Sequence, residues 1–192
     1  DAFAIVYSAR DGGLHGLNAS GWSPSAWNRE YFRRRGHDQR TGMPMYGVDT
    51  VNVPGAVDGW DQLLRRFGTL GFGAVLEPAV RLAEQGFGVT ERIHAQWVES
   101  EGLLRGDADS ARTFLIDGKA PPLYDVFGNP EMGRALRAIQ SGGRNAFYEG
   151  EIADAIVGKI RRAGGSMTRE DLADFRAEWV DPLSVPYHGY EV

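Results

Sequence analysis

The sequence predicts an α+β chain in which a mostly helical insert lies between the strands of a sheet. Three observations carry this. Residues 2–7, Ala-Phe-Ala-Ile-Val-Tyr, form an unbroken apolar run of strand length; the interior holds successive apolar repeats at helical spacing; and the end returns to alternation at Leu183, Val185, Tyr187, Tyr190 and Val192. Apolar residues at consecutive positions suit a strand covered on both faces, so the first strand is placed inside a layered sheet. A buried strand seldom opens a natural chain, and further residues are expected before Asp1. Neither end of the sheet is complete in this segment, so its apolar faces and edges call for a covering partner.

The elements follow in order. Asp11-Gly12-Gly13 supplies a turn that tolerates positive φ, and residues 14–18 return antiparallel beside the first strand. Ala19-Ser20-Gly21-Trp22-Ser23-Pro24 is a loop at a strand end, where binding groups are often presented. Residues 25–35 form a short helix stopped by Gly36, and its Arg33-Arg34-Arg35 cluster has two readings. It is either an anion site or a solvated helix end whose cations complement the dipole. Residues 37–46 are irregular. Over residues 56–67, Val57, Trp60, Leu63, Leu64 and Phe67 recur at helical spacing, which places Trp60 in the core.

Pro78 interrupts the next helical pattern, residues 72–85, and a break or fresh start near Glu77 is expected because proline removes a backbone donor. Thr90 caps a helix from Glu91 to about Leu104 that contains His94. After a loop at residues 118–122, Asn129-Pro130 supplies a cap and a first-turn proline for a helix to about Gln140, with Met132, Leu136 and Ile139 facing the core. Ile152, Ile156 and Ile160 mark another helix, closed by Gly164-Gly165. Thr168 and Asp171 have capping-box spacing before a short helix carrying Leu172 and Phe175.

Composition narrows the function. The chain of 192 residues has a net charge of −5 and no long Lys/Arg tract, which argues against nucleic-acid and anionic-membrane partners. No apolar run approaches bilayer length. The absence of cysteine removes disulfides, thiolate metal sites and a cysteine nucleophile, and is compatible with either redox compartment. His15, His37, His94 and His188 are far apart and lack a second ligand at helical spacing; no phosphate loop or Gly-x-Ser-x-Gly elbow occurs. No metal or other cofactor is expected.

A set of segments in one order gives the chain a specific likeness. These are the opening hairpin, Val53-Pro54-Gly55-Ala56-Val57-Asp58-Gly59, the run from Pro78-Ala79 to Gly86-Phe87, Ala146-Phe147-Tyr148-Glu149-Gly150-Glu151-Ile152-Ala153, Gly164-Gly165-Ser166-Met167-Thr168, and Pro182-Leu183 to Tyr187-His188-Gly189-Tyr190. Together they resemble the middle of the large subunit of the gamma-glutamyltranspeptidase (glutathione hydrolase) family. The resemblance implies the four-layer αββα fold of N-terminal-nucleophile hydrolases, with residues 1–192 as a single partial domain.

It also implies a proenzyme that cleaves itself into two subunits, the smaller beginning with a threonine that attacks the γ-glutamyl carbonyl of substrates such as glutathione. The acyl group then passes to water or an amino acid. No catalytic residue carries over to this chain, which alone is expected to be inactive and to need the small subunit of the same precursor as its partner. Glutamyl-transferring members would imply a periplasmic or secreted location, while a cytoplasmic one is compatible with the composition.

The loop that holds the substrate α-carboxylate in glutamyl-transferring members resembles Asp-x-Arg-Glu-x-x-Pro. Here it reads Asn18-Ala19-Ser20-Gly21-Trp22-Ser23-Pro24, so Asn18, Ser20, Gly21 and Trp22 are the expected substrate-binding residues, with Ser20 in the arginine's place. A serine cannot make a bidentate charged contact. That substitution supports an alternative, an acylase of the same mechanism that does not select for glutamate, with Arg29 or the Arg33 cluster as the nearest source of another cation. A third reading is a catalytically silent scaffold homologue.

Overall fold

Strands β1 (Ala2–Ser8) and β2 (Gly13–Ala19) form the expected antiparallel hairpin, in a register that sets Ala2 opposite Ala19 and Ser8 opposite Gly13. In this computed structural model, which describes residues 1–192, the chain divides into two compact units, residues 1–72 with 141–192 and residues 73–140.

In the first unit a short strand that the sequence pattern did not predict, β5 (Glu178–Val180), adds to the other side of β2, giving the order β1-β2-β5. The small residues Ala2, Ala4 and Val6 of β1 are half-buried, and the bulky Phe3, Ile5 and Tyr7 on the alternate positions are 73, 71 and 65% exposed. The expected two-sided cover is therefore supplied on one side only by this chain. Period-2 geometry sends the large side chains to the opposite face, which stands open.

The covered side faces α2 (Ala56–Phe67), whose approach is set by Gly59: a Cβ there would lie 2.7 Å from that of Ala19. Because the buried positions are Val57, Asp58 and Gly59, Trp60 is rotated away and remains 37% exposed, contrary to the core position expected of it. The helix presses a glycine against the sheet where a bulky ring would hold it off. Helix α1 (Arg29–Arg34) is capped by Asn28, whose Oδ1 accepts the Tyr31 N–H at 2.9 Å, and a 3-10 turn at Val48–Thr50 precedes α2.

Helix α7 (Glu151–Arg162) buries Ala153, Val157 and Ile160, while Ile152 and Ile156 are half-buried at its flank. Helix α8 (Arg169–Asp174) has the expected capping box between Thr168 and Asp171, and Leu172 and Phe175 are fully buried. The terminal alternation does not join the main sheet. It closes on itself as β6 (Pro186–Tyr187) and β7 (Tyr190–Glu191), around His188 and Gly189 with φ of 47° and 84°, leaving Leu183 98% exposed.

At the centre of this unit is a buried polar network. Asp58 and Arg144 are 1 and 8% exposed, and the Arg144 Nε donates to Asp58 Oδ1 at 2.5 Å. Asp58 Oδ2 accepts the Ala177 N–H at 2.7 Å and the Gln62 amide at 2.8 Å; Arg144 Nη2 donates to the carbonyls of Phe175 at 2.6 Å and Ala173 at 3.1 Å. The Tyr148 hydroxyl donates to the Pro54 carbonyl at 2.7 Å and accepts the Asp58 N–H at 3.2 Å. Burial pushes the Tyr148 phenol up to about 12, so this donor is kept at any physiological pH.

The second unit holds α3 (Phe72–Gln85), β3 (Phe87–Gly88), α4 (Glu91–Arg105), α5 (Ala108–Phe114), β4 (Val126–Phe127) and the start of α6 (Pro130–Tyr148). Helix α3 runs through Pro78 without the expected break. An interior proline costs about 3 kcal/mol, and the burial of Leu76 and Val80 on either side of it holds the helical path. Asn129 caps α6 through the Met132 N–H at 3.0 Å; Ile139 is buried as expected, Leu136 is half-buried, and Met132 is 50% exposed because it sits in the first turn beyond the packed stripe. Helix α6 is broken at Gly143, whose φ of 60° and ψ of −149° put Arg144 at the start of a new helical run.

An Arg144→Met change leaves the Asp58 carboxylate buried without its partner and is expected to destabilise the intact protein by about 3–5 kcal/mol. Urea unfolding followed by tryptophan fluorescence measures this, and a loss below about 1 kcal/mol would refute a central role for the pair.

Candidate functional site

The loop that leaves β2 is built on a second close approach between glycine and backbone. A Cβ on Gly21 would lie 1.8 Å from the Val53 carbonyl oxygen, and one on Gly55 would lie 2.1 Å from the Ala19 oxygen. The residues before and after the tip thus lie directly on the strand-like stretch that leads into α2. The Val53 N–H donates to the Trp22 carbonyl at 2.9 Å and closes the contact. Gly21 itself donates to Asp1 Oδ1 at 2.8 Å.

Of the four predicted substrate-binding residues, Asn18 lies near the end of β2 and Ser20, Gly21 and Trp22 lie in the loop after it, with different exposure. Asn18 turns its side-chain oxygen onto its own loop, accepting the Ser20 N–H at 3.0 Å. Ser20 and Gly21 are half-buried, and Trp22 is 44% exposed with its ring edge-on to Phe175 at 5.2 Å. The far end is anchored by Asp171, whose Oδ1 accepts the Ser25 N–H at 2.8 Å while its Oδ2 accepts the Thr168 N–H at 2.8 Å. Burial opposes ionisation of Asp171, but the Ser25 and Thr168 donors outweigh it and hold its carboxyl below the ordinary carboxylate range. One carboxylate therefore serves as helix cap and loop anchor together.

Sequence reasoning found the loop but missed what holds it. Asp58 and Tyr148 enter the sequence reading only within longer segments and Arg144 not at all, yet they tie α2 to the segment carrying Phe175, on which Trp22 rests. The available signal was the Gly142-Gly143-Arg144 step, an arginine placed just after a helix-breaking pair. The cation candidates divide: Arg35 is committed to Asp49, with Nε donating to Oδ2 at 2.6 Å, and the Tyr31 hydroxyl donates to the same carboxylate at 3.0 Å. His15 lies between Asp11 at 3.1 Å and Arg66 at 2.8 Å, and His37 is 3.9 Å from Asp49. No group of three or more His, Asp or Glu side chains is arranged to hold a metal ion.

Next to the loop, the open face of the β1-β2-β5 sheet forms an apolar groove of about 440 Å³ lined by Phe3, Ile5, Leu17, Asn18, Val180 and Leu183 among others. Asn18 thus sits at the boundary between groove and loop. No helix is long and apolar enough to cross a membrane.

A family profile described as Gamma-glutamyltranspeptidase matches residues 1–192. The chain is 33% identical over 193 residues to the glutathione hydrolase-like YwrD proenzyme of Bacillus subtilis, covering 100% of this chain and 36% of that protein. Among solved structures, cephalosporin acylase from Bacillus halodurans superposes with a TM-score of 0.92 at 38% identity, covering 100% of this chain and 36% of the other. Gamma-glutamyltranspeptidase from Helicobacter pylori gives a TM-score of 0.92 at 25% identity, covering 100% and 55%. The chain spans little more than a third of the length of the Bacillus subtilis relative.

A Gly21→Ala change forces the loop off the Val53 carbonyl. We expect it to destabilise the intact protein by about 2 kcal/mol or more, read as a lowered Tm by calorimetry, whereas an unchanged Tm would show that the loop is not clamped.

Proposed function

The chain belongs to the gamma-glutamyltranspeptidase family, whose N-terminal-nucleophile hydrolase fold it shares, and we propose that it is the large-subunit part of a self-processing enzyme that cleaves amides by acyl transfer. The nucleophile in this reading is the N-terminal threonine of a small subunit cut from the same precursor. Its hydroxyl adds to the amide carbonyl, its own α-amino group takes the proton, and the amine leaves to give an acyl-enzyme. Water or an amino acid then accepts the acyl group. Gamma-glutamyl amides such as glutathione are the substrates this family membership suggests first.

The observation that carries the reading is the clamped loop at residues 18–22. A loop fixed by two glycine-to-carbonyl contacts and by Asp171 is preorganised, as a wall of a pocket that must hold a scissile bond within a fraction of an ångström has to be. The open sheet face, with Phe3, Ile5 and Tyr7, is supporting evidence for a second β layer provided by the small subunit.

Ser20 favours a second reading of the acyl group. In place of a guanidinium it offers a hydroxyl and an N–H already given to Asn18, which suits acyl chains that lack an α-carboxylate. The likeness to a cephalosporin acylase points the same way.

Expression of the intact protein and measurement of its product masses tests the first reading. Two fragments, the smaller beginning with threonine, are expected; a single uncleaved chain would favour a silent scaffold instead. For the second, Ser20→Arg is expected to raise kcat/KM for a γ-glutamyl anilide by about tenfold or more, the worth of one charged hydrogen bond. No gain would return the preference to glutamyl substrates recognised by another cation.

A further inference from the structure

Helix α1 and the turn after it border an open cleft of about 400 Å³, lined by Arg29, Arg33, His37, Asp38, Gln39 and Arg40, whose arginines are exposed to solvent. Arg29 and Arg33 are four residues apart and therefore share a helix face. Gly36, with φ of 86°, reverses the chain, and the following turn returns Arg40 to the same space.

That turn is held by its own hydrogen bonds. Asp38 Oδ1 accepts the N–H groups of Arg40 at 2.8 Å and Thr41 at 3.0 Å, the Gly42 N–H donates to the Asp38 carbonyl at 2.8 Å, and Thr41 Oγ1 donates to the Gly36 carbonyl at 3.1 Å. Asp38 is the one carboxylate lining the cavity, and its oxygens are already engaged by these donors and by Arg40 Nε at 3.9 Å. Asp49 is taken by Arg35 and Tyr31, and Glu30 faces Arg33 at 3.4 Å. The lining therefore sets three arginines against one carboxylate; Arg40 faces Asp38 and Arg33 also faces Glu30, while Arg29 adds a further cation.

Helix-dipole complementation explains cations in the last turn, Arg33 and Arg34. It does not explain Arg29, the first residue of α1, where a cation opposes the dipole, nor Arg40, which lies outside any helix. Guanidinium forks from two sides of a concave space match the oxygens of a phosphate or a carboxylate.

We propose that this cavity binds a compact oxyanion of two negative charges, with Arg29, Arg33 and Arg40 as its ligands. The ligand chemistry is shared by a phosphate group and by a short dicarboxylate. This site is separate from the loop at residues 18–22 and does not depend on the acyl-transfer reading.

Calorimetric titration of the intact protein with inorganic phosphate, and separately with malonate, tests it. Saturable binding is expected for at least one, and the tighter of the two identifies the ligand class. Arg29→Gln, Arg33→Gln and Arg40→Gln should each weaken binding by about tenfold, the loss of one charge-assisted contact. Arg34→Gln, which removes the same charge from an equally exposed position that does not line the cleft, should leave it unchanged. Equal weakening by Arg34→Gln, or no saturable binding up to about 10 mM of either anion, would overturn the proposal.

Discussion

The Asp58–Arg144 pair is the interaction on which the first unit is built. Its carboxylate and guanidinium join three separate stretches: α2, the second half of α6, and residues 173–177, through the carbonyls of Ala173 and Phe175 and the Ala177 N–H. Burying either charge alone would cost several kcal/mol, but each oxygen and most N–H groups here have a partner, so the network holds without an orphan. The stacking of Arg144 over Tyr148 at 4.6 Å, and of Tyr148 on Phe175 at 5.9 Å, turns the same pair into a platform. Trp22 leans on that platform, and through it a charge pair in the core sets one end of the loop after β2.

Backbone contact does the rest of the positioning. At Gly21, Gly55 and Gly59 the fold brings two stretches closer than any side chain permits, and the three glycines bracket the junction of β2 with α2. This gives the Val53-Pro54-Gly55-Ala56-Val57-Asp58-Gly59 stretch a mechanical meaning: it is a surface shaped to receive the loop, with Asp58 as the bolt behind it. Rigidity of this kind suits the pocket wall proposed for this loop.

Much of this was legible in the sequence. The hairpin, the limits of α2 and the capping box at Thr168 and Asp171 follow from local rules, since turn glycines, apolar periodicity and side-chain caps act over a few residues. The small and turn-forming residues after β2 form a loop, as their pattern predicts. What was not legible is tertiary. Trp60 faces outward because a glycine next to it makes the contact; Pro78 is tolerated because its neighbours are buried; β5 exists because β2 offers it an edge. The pairing of Asp58 with Arg144 joins positions far apart in the chain, and no local signal ties one to the other.

The order of strands in the main sheet also sets a timetable. Gly16 of β2 pairs with Val180 of β5, so the central strand waits for its second neighbour until the long stretch between them has been made. At about 5–20 residues per second of synthesis, the interval is on the order of ten seconds. During that time the hairpin has one bare edge on β2 in addition to its apolar face. The helical unit at residues 73–140 can fold meanwhile as a local event, and by doing so it shortens the loop that the last pairing must close. Gln140 donates to the Gly73 carbonyl at 2.9 Å, so the two ends of that unit meet, and an insertion folded early would bring a distant strand pairing nearer.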